Sequence, residues 1–76
     1  MLSRVTFDPQ VMGGRACIRG MRIPVSLVVN LVANGMTVAQ IIAEYPDLEP
    51  ADISEALQYS ASLANEEIRE FAALTA

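Results

Sequence analysis

A change of period at Pro24 constrains this chain most. Up to it runs GGRACIRGMRI (residues 13–23), where glycines, β-formers and arginines are interleaved; from Val25 onward apolar residues return every three or four positions. The first pattern suits short extended segments joined by turns, the second amphipathic helices. Proline lacks a backbone donor and keeps the preceding Ile23 out of helical φ/ψ, so one pattern ends where the other begins. Residues 1–24 therefore form an N-terminal extended or β segment and residues 25–76 a helical region, both within one domain.

Charge divides at the same boundary. Residues 1–24 hold four arginines against Asp8, a net +3, whereas residues 25–76 hold eight acids against Arg69, a net −7. Opposite halves of this kind suit two surfaces with different partners. The chain has 76 residues and is 53% hydrophobic, mostly Ala, Val, Ile and Leu. A domain that small struggles to hide so much apolar surface alone, so self-association as a homodimer or higher is expected.

Missing residue types exclude much chemistry. The chain has no His, Lys or Trp, which removes the commonest general base, the Schiff-base amine and the usual metal ligand. Cys17 stands alone, with neither a second thiol nor an imidazole to partner it. Asp47, Glu49 and Asp52 lack the glycine and bidentate Glu of a calcium loop, and no GK[ST] follows Gly13-Gly14. No catalytic residue, metal or cofactor is expected. No apolar run reaches the roughly 18–20 residues needed to cross a bilayer, and MLSRVTF lacks a signal core. A cytoplasmic protein that makes no membrane contact is the expectation.

The elements can be placed from local signals. Arg4 to Phe7 alternates polar and apolar residues as a short strand does. Asp8-Pro9 suits the start of a single helical turn, stopped by Gly13-Gly14. Cys17 to Ile23 reads as extended with a bend at Gly20. A first helix from Val25 carries Ser26, Asn30 and Asn34 on one side and Val28, Leu31 and Val32 on the other, with Gly35 as its stop. Thr37 and Gln40 form a capping box for a second helix whose buried side is Val38, Ile41, Ile42 and Tyr45. A third helix begins at Pro50, with Ile53, Leu57, Ala61, Ala64 and Ile68 buried and Glu55, Gln58, Ser62, Asn65 and Arg69 outward.

Helix, glycine turn, short helix, tight turn and longer helix make a helix-turn-helix layout. The fold class is thus mainly α, a three-helix core with a short N-terminal β element and a long C-terminal helix. The exposed start of the third helix, with Glu49, Asp52, Glu55 and Gln58, is ill suited to a DNA groove. Candidate phosphate contacts are Arg4, Arg15, Arg19 and Arg22. An internal ion pair with Asp8, Asp47 or Glu44 is the favoured alternative for at least one of Arg15, Arg19 and Arg22, since the guanidinium fork fits carboxylate and phosphate equally. Gly13, Gly14 and Gly20 read as turn glycines, Cys17 as a small core residue, and Met12, Met21 and Met36 as packing filler.

A helix from Pro50 to about Leu74 would be roughly 37 Å long at 1.5 Å per residue, more than two short helices can cover. Ile68, Phe71, Ala72 and Leu74 would then project an apolar stripe, each large side chain worth about 1.5–3 kcal/mol when buried. Glu66, Glu67 and Glu70 would favour a basic protein partner.

The blocks FDP, GGRACIRGMRIPV, NGMT, IIAEYPDL and DIxxAL, in this order from about Val5 to Tyr59, resemble a family of small bacterial proteins, domain-of-unknown-function family four-three-three. The resemblance implies a homeodomain-like or winged-helix-like three-helix fold. It also implies an antitoxin of the VapB kind that neutralises a PIN-like ribonuclease toxin and represses its own operon by binding operator DNA. The family pattern often has Lys, Pro and Thr where this chain has Arg15, Ala16 and Met21. Three readings stand: an antitoxin, a stand-alone dimeric DNA-binding regulator, and an interaction module that binds no nucleic acid.

Overall fold

The computed structural model describes the backbone of residues 3–75 and the side chains of residues 3–64. Its elements are β1 (Val5–Thr6), a 3₁₀ turn (Met12–Gly14), β2 (Cys17–Ile18), α1 (Val25–Ala33), α2 (Val38–Glu44) and α3 (Pro50–Thr75). The mainly α fold with a short N-terminal ribbon is the one expected from the sequence.

β1 and β2 pair antiparallel, Val5 opposite Ile18 and Thr6 opposite Cys17. Beyond β2 the chain reverses at Arg19-Gly20, both at positive φ (46° and 71°), with the Met21 N–H donating to the Ile18 carbonyl at 2.8 Å. Two left-handed central residues make a type I′ turn, whose twist matches that of the strands it joins. The returning segment lies against β2, where the Ile18 N–H donates to the Ile23 carbonyl and Cys17 bridges Pro24. The expected helical turn lies later than Asp8-Pro9. Asp8 instead accepts the Gln10 and Val11 amides in a tight turn, and the two glycines sit inside the 3₁₀ turn instead of ending it.

Pro24 is the N-cap of α1, and its carbonyl accepts the Leu27 and Val28 amides. The helix stops at Gly35 (φ 88°), where the Met36 amide returns to the Leu31 carbonyl and the Gly35 amide to Val32. That double closure is a Schellman motif, which needs a left-handed residue where glycine stands. Thr37 and Gln40 form the expected capping box at the start of α2. After Tyr45 a turn closed by the Leu48 amide on the Tyr45 carbonyl delivers Leu48, 3% exposed, into the core.

Each helix packs on the other two, and α1 lies most extensively against α3. The core consists of Val5, Ile18, Val25, Val28, Ile41, Leu48, Ile53 and Ala56, so the ribbon and all three helices contribute to one cluster. Three expected core positions differ. Val38 is 43% exposed, because the short α2 turns mainly Ile41 inward. Ala61 and Ala64 are exposed, because α3 has passed the ends of its neighbours by then. Its buried face is instead Asp52, Ile53 and Ala56, with Leu57 and Tyr59 half-buried. Ile68 lies outside the described side chains.

A Cβ at Gly35 would meet nothing within 4 Å, so Gly35→Ala isolates the backbone term. We expect a loss of about 1 kcal/mol from the left-handed conformation alone. A urea midpoint that falls while the slope stays constant would show it.

Candidate functional site

Among the described residues Asp52 is the one charged side chain in the core, with no solvent exposure. Its position follows from the start of α3. Glu49 accepts the Asp52 and Ile53 amides through its carbonyl, and Pro50 opens the helix, so Asp52 falls in the first turn. A carboxylate there faces the positive helix end. Asp52 Oδ2 turns back to accept the Glu49 N–H at 2.8 Å, which is half of a capping box.

Two arginines complete its coordination. Arg19 approaches with a two-pronged fork, Nε to Oδ1 at 3.0 Å and Nη2 to Oδ2 at 2.9 Å. Arg4 Nη1 reaches Oδ1 at 2.9 Å and also Glu49 Oε1 at 2.8 Å. Arg19 Nη2 further donates to the Asp47 carbonyl at 2.7 Å, which pins the α2–α3 turn. One turn further along, Glu55 Oε2 accepts the backbone amides of both Arg4 and Val5, the latter at 3.0 Å. The Arg19 amide closes the ring by donating to the Arg4 carbonyl at 2.7 Å. Ribbon, interhelical turn and the first two turns of α3 are thus joined through one polar cluster.

The carboxylate accepts four hydrogen bonds, as many as it has lone-pair sites. Burial alone would push its pKa up; the bonds from Arg19, Arg4 and the Glu49 amide outweigh that and hold it down at about 2. The same bonds to Asp52 push both guanidinium pKa values up, so the cluster stays ionised. Arg19 is held in the left-handed region to make this contact, at about 1 kcal/mol of backbone strain. With its lone pairs filled, Asp52 is built to hold a structure together.

The four candidate phosphate-binding arginines therefore separate into two pairs. Arg4 and Arg19 are bound to the buried Asp52, with about a third of each arginine side chain still reaching solvent. Arg15 and Arg22 are exposed and make no ion pair among the described residues. An internal pair was expected, but the acid is Asp52, not Asp8, Asp47 or Glu44; of those, only the Asp47 carbonyl takes part. Asp52 and Glu55 are correspondingly not an exposed acidic helix start. The ribbon lies over them.

The candidate partner-binding residues Glu66, Glu67, Ile68, Glu70, Phe71, Ala72 and Leu74 lie outside the described side chains, although α3 runs continuously through them to Thr75. Just before them, Ala61, Ser62, Leu63 and Ala64 are all exposed, Leu63 by 54%. Phe7, 57% exposed, rests its ring on Tyr59, centroids 5.9 Å apart and planes at 59°. Sequence reading missed both Phe7 and Leu63 as surface apolar residues. Among the described residues no helix is long and apolar enough to cross a membrane, and no three Cys, Asp or Glu side chains gather as a metal site would require.

Two outcomes test the cluster. Asp52 titrates lower folded than its ordinary 3.8, so the unfolded chain binds more protons in acid. Its contribution is complete above about pH 5 and is lost as pH falls through about 2. It amounts to at most about 2 kcal/mol, less because the arginine heads reach solvent. Asp52→Asn should flatten this part of the acid limb. It should also destabilise the neutral-pH protein by about 2–4 kcal/mol, since two arginines lose their buried acceptor. Urea titrations from pH 2 to 7 on both proteins measure each effect.

Comparison with known proteins agrees with the architecture. A comparison with curated proteins gave no match. Among solved structures, the crystal structure of a DUF433 member protein from Anabaena variabilis ATCC 29413 is 35% identical. It superposes with a TM-score of 0.73 over 91% of this chain and 68% of that one. The family described as protein of unknown function (DUF433) matches residues 5–60, which include both strands of the ribbon, Arg19 and Asp52, while Arg4 lies one residue before the match. The chain belongs to the DUF433 family.

Proposed function

We propose that this protein is an antitoxin-like adaptor, a small helical domain that presents its third helix to a protein partner and neutralises it. The observation that carries the reading is the behaviour of α3. The helix continues to Thr75, yet from Ala61 through Ala64 its described side chains have left the core. A solvent-exposed helix carrying Leu63, next to the exposed Phe7, is amphipathic bait for a complementary groove. A PIN-like ribonuclease toxin is the partner implied by the resemblance, and the acids of residues 66–70 suit its basic surface.

A second reading, a dimeric DNA-binding regulator, is favoured by the exposure of Arg15 and Arg22. It fits beside the first as repression of the protein's own operon. At the start of α3, where a helix-turn-helix protein reads bases, the ribbon's arginines are bound to Asp52, and the residues left exposed there, Glu49, Pro50, Ala51 and Ser54, carry no cation to meet phosphate. DNA contact would therefore come from the ribbon through phosphates.

Affinity capture from native lysate, followed by addition of the purified chain to the captured partner, tests the antitoxin reading. We expect a stoichiometric small ribonuclease whose RNA cleavage stops when the full chain is added, and Leu63→Asp should weaken that inhibition about tenfold or more. Recovery of the chain with nuclease-sensitive DNA and no ribonuclease would favour the regulator. In that case two arginines per chain limit the slope of log K against log salt to about −2 per chain. Arg15→Ala with Arg22→Ala would abolish the binding.

A further inference from the structure

Exposed apolar side chains are ordinary singly and informative when they adjoin. Among the described residues the large ones are Phe7, Met12, Val38 and Leu63. Two of these converge on one residue. The Phe7 ring rests on Tyr59, centroids 5.9 Å apart. Leu63 follows Tyr59 by one turn of α3, the spacing at which side chains are neighbours on a helix surface. One turn before Tyr59, Glu55 accepts the Arg4 and Val5 amides, so the ribbon lies along this side of α3 from Arg4 to Phe7. Phe7, Tyr59 and Leu63 therefore form one apolar patch shared by ribbon and helix.

Charge around the patch selects what covers it. From Ile53 to Ala64 the helix has a single charged side chain, Glu55, whose carboxylate already holds the ribbon amides. Next to Phe7 stands Asp8, with Oδ1 turned into its own loop by the Gln10 amide at 2.9 Å. A basic protein would find no free carboxylate on this stretch of helix, and an acidic one no cation. A second copy needs neither. Two chains that each carry a net charge of −4 repel least where the surfaces that meet are uncharged. We infer that two copies of this chain pair through Phe7, Tyr59 and Leu63.

A twofold axis midway between Tyr59 and Leu63 sets the two α3 helices antiparallel. Leu63 of each copy then lies on Tyr59 of the other, with Phe7 beside it, and the contact closes at two. Three partly exposed side chains bury far less than the roughly 800 Å² per partner of a stable complex, so the pair is weak and reversible. The Asp52 joint enters indirectly, by fixing the ribbon that carries Phe7. This inference concerns the chain alone and does not depend on the antitoxin reading. A protein that docks on Leu63 would displace the second copy.

Amide chemical shifts and sedimentation of the full chain between about 20 µM and about 2 mM test it. The expected shift changes grow with concentration, centre on Phe7, Tyr59 and Leu63, and fit one monomer–dimer constant. That constant should not weaken as salt rises, because no ion pair is involved. Leu63→Gln and Phe7→Ser should each weaken association at least about fivefold. Val38→Ser, at an exposed apolar residue of α2, should leave it unchanged. A chain monomeric throughout, shifts centred on any other surface, or a constant that weakens with salt overturns the proposal. So does a Leu63→Gln chain that pairs as well as the wild type. Leu63 is 54% exposed on a helix, so its variant keeps the fold, and the wild-type shift map needs no variant at all.

Discussion

The buried carboxylate of Asp52 governs how the parts of this small fold are assembled. A charge in the core is tolerated only when its lone pairs are occupied, and here a helix-start amide and two guanidinium groups occupy them. Those donors come from three places far apart in sequence: residue 4, the turn at residue 19 and the linker at residue 49. A two-residue strand pair would be marginal by itself. Fastened by Arg4 and Arg19 to the start of α3, and with Val5 and Ile18 in the common core, the ribbon becomes a fourth layer against the helices.

That fastening redistributes what the surface can offer. Two of the four N-terminal arginines become counter-ions to Asp52, and the Asp52–Glu55 side of the first turns of α3 becomes a covered joint while Pro50, Ala51 and Ser54 stay exposed. What remains outward is a pair of arginines on the N-terminal unit and a helix that outruns its core.

Much of the fold was legible in local patterns. Gly35, the Thr37–Gln40 box, Pro24 and Pro50 each mark a helix boundary for a backbone reason that needs no tertiary context, and α1, α2 and α3 begin or end there. The cluster was less legible. Arginine and aspartate look alike whether solvated or buried, and helical periodicity places Asp52 beside Glu49 and Glu55 as an outward acid. Only the arrival of the ribbon over that end of the helix makes it interior. A hint existed in Gly20, which suits a left-handed turn position, and in Asp52 two residues after Pro50, where a carboxylate can turn back onto the helix start. Ala61 and Ala64 were misread for the complementary reason: periodicity continues along α3 after the neighbouring helices end. Leu48 was missed because a turn residue reaches the core without any period to announce it.

The central claim is that Asp52 fastens the ribbon to the helical core. Native-state hydrogen exchange on the wild-type chain and on Asp52→Asn examines it residue by residue. The amides of Arg19, bonded to the Arg4 carbonyl, and Ile18, bonded to the Ile23 carbonyl, report the ribbon; those of Val28 and Ala56 report the core. The account predicts that the ribbon amides of the wild type are protected nearly as well as the core. In the variant they should exchange much faster, while the Val28 and Ala56 amides keep their protection once the change in global stability is allowed for. Ribbon and core amides that lose protection in equal proportion would show that Asp52 contributes only to global stability, and the claim of a specific joint would fail.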